Sequence, residues 1–115
     1  MKAIINPRPL AGTVPAIASK SMAHRLIIAA ALSNDVTHVT CNTTCADIEA
    51  TVRCLEALGA NIESTKDGFS VRPAPRSVEL GLLKALHGGA LDCGESGSTL
   101  RFMLPVACAL GAQAS

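Results

Sequence analysis

The chain contains 115 residues, enough for one domain or part of one, and its formal net charge at neutral pH is +1. Hydrophobic residues make up 49% of it, but Trp and Tyr are absent and Phe occurs twice, so the core has to be aliphatic. The chain lacks both aromatic platforms for stacking bases and a basic stripe that could follow a phosphate backbone, and we expect no nucleic-acid partner.

The cysteines and the longest apolar run indicate in which cellular environment the protein works. The five cysteines are odd in number and form no C-x-x-C pair, which is typical of reduced thiols in a cytoplasmic protein. No set of metal ligands is recognisable near them. The apolar run over residues 102–112 is interrupted by Pro105 and is too short to cross a membrane. We therefore expect a cytoplasmic protein that needs no membrane, metal or cofactor.

The first forty residues predict strands on either side of one helix. Residues 2–6 read as a short strand, and residues 12–17 as a second strand, which a proline confines to a sheet edge or a crossing. A helix follows, capped by Ser19 or Ser21. Residues 35–40 contain a run of β-branched side chains and predict the next strand.

The clearest helix of the chain begins at Asp47, which we interpret as its N-cap, and ends near Gly59. Its apolar side chains recur at spacings of four and three and predict one buried face: Ile48, Val52, Leu55 and Leu58.

The remaining elements complete an alternating order. Residues 61–64 and 69–72 predict two strands joined by the turn Lys66-Asp67-Gly68, a D-G hairpin signal. A short helix is predicted over residues 78–86, and a longer one over residues 99–109 with a stop at Gly111. Alternation of strands and helices indicates an α/β architecture, for which we expect parallel strand pairings.

One loop has the composition of an anion site. Residues 91–101 read LDCGESGSTLR and join a short apolar segment to the helix over 99–109. Its two glycines allow backbone conformations that a side chain forbids, and Ser96 or Ser98 can cap the helix. The free N–H groups of the first helical turn and the helix dipole favour a negative charge there, and Arg101 adds a positive charge one turn on.

Two better-known motifs fit this loop except at one residue each. Residues 89–96 match the nucleotide-binding phosphate loop, but Glu95 stands where that motif has its lysine, and an acid there would repel phosphate. The hydrolase elbow G-x-S-x-G would use Ser96 as its nucleophile, but Ser98 replaces its second glycine. We set both readings aside.

A similar sequence pattern occurs earlier in the chain. Residues 19–25, SKSMAHR, also place two serines and then an arginine at the start of an apolar helix. Arg25 and Arg101 are 76 positions apart, as in two copies of one supersecondary unit. Serine caps and arginine-bearing helices are common, so the similarity of the two segments suggests a repeat but does not establish one.

The two motifs together resemble the enolpyruvyl transferase family, most closely its shikimate-pathway branch. The resemblance covers nearly the whole chain. It implies an α/β fold, the inside-out α/β barrel, built from β-α-β-α-β-β repeat units. Members are several times longer, so we expect this chain to be an incomplete, N-terminal fragment. Residues 1–18 would be the N-terminal strands and crossing segment, and residues 19–115 the first repeat and the start of the second.

The resemblance also implies a reaction and a set of site residues. The family's shikimate branch moves the enolpyruvyl group of phosphoenolpyruvate to shikimate 3-phosphate and releases phosphate, in aromatic amino-acid biosynthesis. Lys20 resembles the lysine between the two substrates and is the candidate catalytic residue. Ser21 and Arg25 resemble the pair that holds shikimate 3-phosphate, and Gly97 the glycine whose N–H reaches the phosphate of phosphoenolpyruvate. Further candidates near the substrates are Asp47, Glu95, Ser98 and Arg101.

Each of these residues also has a structural reading. Ser21 and Asp47 could be helix caps, and Arg25 could be a surface residue. A purely structural role is less natural for Lys20, because a positive charge at a helix start opposes the helix dipole. We interpret His24 as structural, although its near-neutral pKa invites a catalytic role. Glu95 stands where many family members have asparagine, and we expect its carboxylate to turn away from an anion or to pair with a cation.

Two other functions remain open at this level. The related UDP-N-acetylglucosamine enolpyruvyl transferase has Lys-Asn where this chain has Lys20-Ser21, so the serine favours the shikimate branch. The chain could also be an anion-binding module without catalysis. Because one lysine and one loop are only part of a catalytic site, we expect the isolated chain to be inactive. Its partners would then be the two substrates and the remainder of the enzyme, or a second copy joined through exposed apolar faces.

Overall fold

The computed structural model describes residues 1–74 and 90–110, and within them the chain folds as a small α/β unit. The predicted helix over residues 78–86 and the stop at Gly111 lie outside the described residues. The helices and strands are α1 (Lys20–Ala31), β1 (Thr37–Thr40), α2 (Ala46–Ala57), β2 (Asn61–Thr65), β3 (Gly68–Arg72) and α3 (Gly97–Ala109).

The three strands form one antiparallel sheet in the order β1-β3-β2. The predicted parallel pairings are therefore wrong. β1 and β2 do run in the same direction, as a strand-helix-strand unit requires, but they are not neighbours. The two-residue turn at Lys66 and Asp67 folds β3 back along β2, and β3 then occupies the central position.

Gly68 closes this turn at a position that excludes a side chain. Its φ is +151°, and a Cβ there would overlap the carbonyl oxygen of Val39 and lie 2.7 Å from the backbone nitrogen of Cys41. The same nitrogen donates a hydrogen bond of 2.8 Å to the carbonyl of Asp67, which ties the end of β1 to the turn. Glycine is required here for space as well as for conformation.

The core lies between one face of the sheet and the helices. Val39 is paired with Phe69, and Ile62 with Val71, so these buried side chains alternate with exposed ones along their strands. α1 packs on β1, β3 and α2, while α2 packs on β2 and α3. The largest fully buried apolar side chains each stabilise the fold by about 1.5–3 kcal/mol; they are Ile27, Ile48, Leu55, Met103 and Val71.

The amphipathic pattern of α2 is confirmed. Ile48 and Leu55 are buried and Val52 and Leu58 are half-buried in the core cluster. The helix runs from Ala46 to Ala57, so it begins one residue before the predicted start at Asp47 and ends two residues before Gly59.

The two strands predicted over residues 2–6 and 12–17 do not form, and residues 1–17 are exposed throughout. A strand is stable only when its backbone groups pair with a neighbour, and no described strand lies beside this segment. The described part of the chain therefore has the order α-β-α-β-β-α, without the strand expected ahead of α1.

Candidate functional site

α1 begins with the sequence that was expected to bind an anionic substrate. The side chain of Ser19 accepts a hydrogen bond of 3.4 Å from the N–H of Met22 and is the N-cap, so Ser21 is free of that role. Lys20 is the first residue of the helix. Ser21 and Arg25 are exposed and four residues apart, which places them on the same side of the helix.

Lys20 and Asp47 form an ion pair between the first turns of α1 and α2. The Lys20 Nζ lies 3.1 Å from Oδ2 of Asp47, and both side chains are partly exposed. This hydrogen bond is the largest cause of a raised pKa for Lys20, with a smaller effect of nearby Cys45. The same bond lowers the pKa of Asp47, with a smaller effect of the nearby Ser96 hydroxyl. At neutral pH the pair is a full ammonium beside a full carboxylate.

Asp47 is not the N-cap of α2, so the predicted capping role is wrong. The N-cap is Cys45, whose extended backbone starts the helix without a side-chain cap bond. Asp47 is the second helical residue, where its negative charge complements the helix dipole and its side chain points to Lys20.

The loop before α3 has the predicted form of a capped helix start. The side chain of Ser96 accepts a hydrogen bond of 3.2 Å from the N–H of Thr99 and is the N-cap. Gly94 has φ of +51° and donates its N–H to the Asp92 carboxylate at 2.9 Å. Gly97 begins the helix, and a Cβ built on it would meet no other atom within 4 Å. The space over this N-terminus is open to a ligand.

The other loop candidates are less directly placed. Ser98 and Glu95 are exposed, and among the residues that the structure describes Glu95 has no ion-pair partner. The Nε of Arg101 lies 3.4 Å from the carbonyl oxygen of Gly97 and donates a hydrogen bond to it. Its guanidinium therefore stays close to the start of α3, where a positive charge would attract an anion.

A buried row of hydroxyl groups connects the three helices. His24 of α1 lies 2.8 Å (Nδ1) from the hydroxyl of Thr51 of α2, which lies 2.9 Å from the hydroxyl of Thr99 of α3. The Thr99 hydroxyl also lies 2.9 Å from the Ser96 hydroxyl and 3.1 Å from the carbonyl oxygen of Asp47. All four side chains in the row are buried. The row fixes the positions of α1, α2 and α3 relative to one another.

The hydrogen bonds in this row have one consistent direction. The Thr99 hydroxyl has one proton, and it donates that proton to the Asp47 carbonyl oxygen or to Ser96. The Thr99 oxygen then accepts from Thr51. Thr51 in turn must accept from His24. We assign His24 as the neutral tautomer with its proton on Nδ1, in keeping with burial, which lowers its pKa.

Arg25 is oriented by the neighbouring helix. Its guanidinium carbon lies 5.9 Å from the ring centroid of Phe102 in α3, a cation–π contact. The same ring is 6.0 Å from the ring of His24, tilted by 41°. The exposed side chain of Arg25 therefore extends from α1 towards α3.

Together these contacts bring the predicted residues of the two motifs to one edge of the molecule. Lys20 pairs with the Asp47 carboxylate, the Asp47 carbonyl oxygen accepts from Thr99, and Gly97 begins the helical turn that contains Thr99. Sequence analysis missed Thr51 and Thr99 as the link. The available signal was a threonine on the apolar face of α2, three residues after Ile48 and four before Leu55.

Other kinds of site have less support in the described residues. An open pocket of about 440 Å³ lies between α2 and the β2–β3 hairpin, and its lining contains none of the predicted site residues. Within residues 1–74 and 90–110, no group of three His, Cys, Asp or Glu side chains is placed to hold a metal. No helix in these ranges is long and apolar enough to span a membrane.

Comparisons with known proteins point to one family. The sequence model described as EPSP synthase (3-phosphoshikimate 1-carboxyvinyltransferase) matches residues 4–115. No solved structure matches the chain.

Similar curated proteins bear the same name. A 3-phosphoshikimate 1-carboxyvinyltransferase of Clostridium perfringens (strain SM101 / Type A) is 41% identical over 105 residues, which cover 91% of this chain and 23% of that protein. The protein so named from Clostridium beijerinckii is also 41% identical over 105 residues, covering 90% of this chain and 24% of its own length. That of Clostridium kluyveri is 39% identical over 107 residues, with 93% and 24% covered. The chain thus spans about a quarter of the length of these relatives.

Proposed function

Because the chain belongs to the EPSP synthase (3-phosphoshikimate 1-carboxyvinyltransferase) family, we propose that it contributes the first part of the site that transfers an enolpyruvyl group from phosphoenolpyruvate to shikimate 3-phosphate. The observation that carries this proposal is the convergence of Lys20 and the first turn of α3 on Asp47, whose carboxylate pairs with Lys20 and whose carbonyl oxygen accepts from Thr99. Both substrates are anions, and a partly exposed ammonium beside an open helix N-terminus suits anionic groups.

Ser21 and Arg25 are the residues we propose for shikimate 3-phosphate. Both are exposed on one side of α1, next to Lys20 in the chain. A hydroxyl and a planar guanidinium suit a carboxylate, which accepts two parallel hydrogen bonds from arginine. The contact of Arg25 with Phe102 limits the side-chain freedom that binding would otherwise have to remove.

Gly97 is the residue we propose for the phosphate of phosphoenolpyruvate. It supplies a backbone N–H at the start of α3, with no side chain in the space above it. The helix dipole and the nearby guanidinium of Arg101 both favour an anion at this point. Ser98 and Glu95 border the same opening, and we give them no direct contact.

Lys20 is the residue we propose for catalysis. In the reaction a hydroxyl oxygen of shikimate 3-phosphate forms a bond to the central carbon of phosphoenolpyruvate, the carbon–oxygen bond to phosphate breaks, and phosphate leaves. The methylene carbon gains a proton and later loses one, while the hydroxyl loses its proton. Asp47 keeps Lys20 in the ammonium form, so the lysine can stabilise the charge on the leaving phosphate.

The remainder of the site comes, in this proposal, from parts of the enzyme beyond this chain. The matched relatives are about four times longer, and residues 19–115 would be the first repeat and the start of the second, with residues 1–18 crossing from another domain. Large apolar side chains exposed on α1 and α3 would be covered by that remainder or by a second copy of the chain; they are Met22, Leu26, Leu100 and Leu104. Location in the cytoplasm belongs to the same proposal.

An amide NMR titration of the isotope-labelled 115-residue chain with shikimate 3-phosphate tests the proposal. We expect selective shifts at Lys20, Ser21 and Arg25, loss of these shifts in Arg25→Met, and no loss in the matched variant Arg72→Met, whose arginine is exposed at the end of β3. Shikimate and inorganic phosphate are run alongside.

The titration separates the candidate functions. Equal responses to phosphate and shikimate 3-phosphate would indicate an anion-binding module, and a response to UDP-N-acetylglucosamine alone would indicate the other branch of the enolpyruvyl transferases. A coupled assay for released phosphate should show no turnover by the chain alone. Turnover that disappears in Lys20→Ala would contradict the incomplete site that we propose.

A further inference from the structure

Two cysteine thiols lie side by side behind the loop that precedes α3. The Sγ of Cys54, in α2, is 3.8 Å from the Sγ of Cys93. The Cys54 thiol also donates to the carbonyl oxygen of Asp92 at 3.4 Å, so the two segments already contact each other through sulfur. Neither thiol takes part in the proposed transfer reaction.

The two sulfurs differ in their access to solvent. Cys54 is fully buried in the core, whereas Cys93 is half-buried at the edge of the loop. Burial, followed by the hydrogen bond with Cys93, raises the pKa of the Cys54 thiol to about 12. A small oxidant in solution therefore meets Cys93 first, and Cys54 is held next to it as a protonated thiol.

The backbone around Cys93 allows the two sulfurs to move to bonding distance. A disulfide needs a sulfur–sulfur distance of about 2.05 Å, so the thiols must move closer by somewhat under 2 Å. Cys93 is followed by Gly94, which is in the left-handed region, and precedes an exposed loop rather than a helix or strand. Rotation of the Cys93 side chain with a small shift of this loop can supply the movement.

We propose that Cys54 and Cys93 are an oxidation site at which a peroxide forms a disulfide between α2 and the loop before α3. The Cys93 sulfur attacks one peroxide oxygen, the O–O bond breaks, and water leaves, which gives a sulfenic acid. The Cys54 sulfur then attacks the Cys93 sulfur, the S–O bond breaks, and the oxygen leaves as a second water with the Cys54 proton. Two electrons pass from the thiols to the peroxide, and a thiol reductant reverses the change.

The disulfide would restrain the start of α3. The carbonyl of Cys93 accepts a hydrogen bond of 3.1 Å from the N–H of Ser96, the residue that caps this helix. The bond between the sulfurs fixes that carbonyl to α2. The pairing depends on the positions of the two sulfurs and does not depend on what the loop binds.

Peptide mapping after treatment with hydrogen peroxide tests this inference. We expect the intact 115-residue chain to lose about 2 Da and two of its five free thiols. Trypsin, which cleaves after Lys and Arg, places Cys54 alone in the peptide 54–66 and Cys93 alone in the peptide 85–101. The expected product is a single pair of these peptides that separates on reduction.

Variants of single cysteines provide the controls. In Cys54→Ser, Cys93 should pass to the sulfinic acid because the second thiol is missing, whereas Cys108→Ser, which removes an exposed thiol, should leave the cross-link unchanged. If Cys54→Ser does not fold, Cys93→Ser, at the half-buried position, tests the same link. The inference is overturned if wild-type Cys93 is oxidised to the sulfinic acid with Cys54 still a free thiol, or if the linked peptides contain other cysteines.

Discussion

The hydroxyl of Thr51 lies 2.8 Å from Nδ1 of His24, and both groups are buried between α1 and α2. The same hydroxyl lies 2.9 Å from the hydroxyl of Thr99 in α3. One oxygen atom thus joins α1, α2 and α3, two of which carry the proposed substrate residues, and loss of that oxygen should weaken the whole unit.

Replacement of Thr51 by valine tests this role. Valine keeps the shape of threonine but leaves the His24 N–H and one lone pair of Thr99 without a partner, so we expect the free energy of unfolding to fall by about 1–3 kcal/mol. Urea denaturation measures the change. Thr65→Val, on the exposed side of β2, is the matched control and should change stability by less than about 0.5 kcal/mol. Equal effects at the two positions would remove the argument for the hydroxyl row.

His24 should make stability depend on pH in the range of histidine titration. The unfolded chain takes up a proton on His24 near its ordinary pKa of 6.5, whereas burial lowers the pKa in the folded state. Because the unfolded state then binds more protons, the free energy of unfolding should fall as pH decreases below 6.5, until pH reaches the folded pKa.

Denaturation midpoints at a series of pH values between 5 and 8, compared with His24→Gln, measure this contribution. We expect the variant to show a flatter profile, and the exposed control His38→Gln to keep the slope of the wild type. A nitrogen-detected NMR spectrum near neutral pH should show the His24 proton on Nδ1. A proton on Nε2 instead would contradict the direction assigned to the hydrogen bonds.

The Lys20–Asp47 pair should be visible in the titration of Asp47. The hydrogen bond from Lys20 lowers the pKa of the carboxyl below 3.8, so its stabilising effect is present above that pH and is lost as pH falls through the lower folded value. Carboxyl NMR shifts measure the midpoint. In Lys20→Met the midpoint should rise towards 3.8, while Lys66→Met, in the exposed turn, should leave it in place.

Ser96 and Ser98 are a natural pair for a test of the α3 cap. Ser96 accepts from the N–H of Thr99 and is buried, whereas Ser98 is exposed in the first turn. We expect Ser96→Ala to reduce the free energy of unfolding by about 1 kcal/mol or more, and Ser98→Ala to change it little. Thermal unfolding of both variants decides the point, and a larger effect at Ser98 would show that the cap has been assigned to the wrong serine.

Gly97 should tolerate alanine in the fold but not in the site. Its Cβ would enter open space, and alanine is the better helix former, so the unfolding temperature should be unchanged or higher. The methyl group would occupy the space proposed for the phosphate, and affinity for phosphoenolpyruvate, measured by NMR titration, should fall. Gly68→Ala is the opposite case, since it should destabilise the fold through overlap with Val39. Unchanged affinity in Gly97→Ala would place the phosphate elsewhere.

Local patterns in the sequence predicted much of this fold. The spacing of Ile48 and Leu55 and the turn at Lys66-Asp67 each depend on neighbours in the chain, and the structure confirms them. The order of strands was not predictable in this way. That β3 lies between β1 and β2 depends on contacts between distant residues, and a strand before α1 would need a pairing partner that its own sequence does not encode.

In the candidate site, too, local features were predictable and contacts between distant residues were not. Serine caps at Ser19 and Ser96 could be read from local sequence, and both are confirmed. The partners of Lys20 and His24 lie 27 positions away in each case, on a different helix. A contact of that kind follows from the angle at which two helices pack, which no single segment encodes.

The row of hydrogen bonds that starts at His24 ends on the backbone carbonyl oxygen of Asp47. A backbone oxygen only accepts hydrogen bonds and does not titrate, so protonation of the Asp47 carboxyl leaves this acceptor in place. The direction of the row, and with it the tautomer of the His24 ring, is therefore set by the main chain of α2. The core is insulated from the titration of the charged groups at the rim of the site.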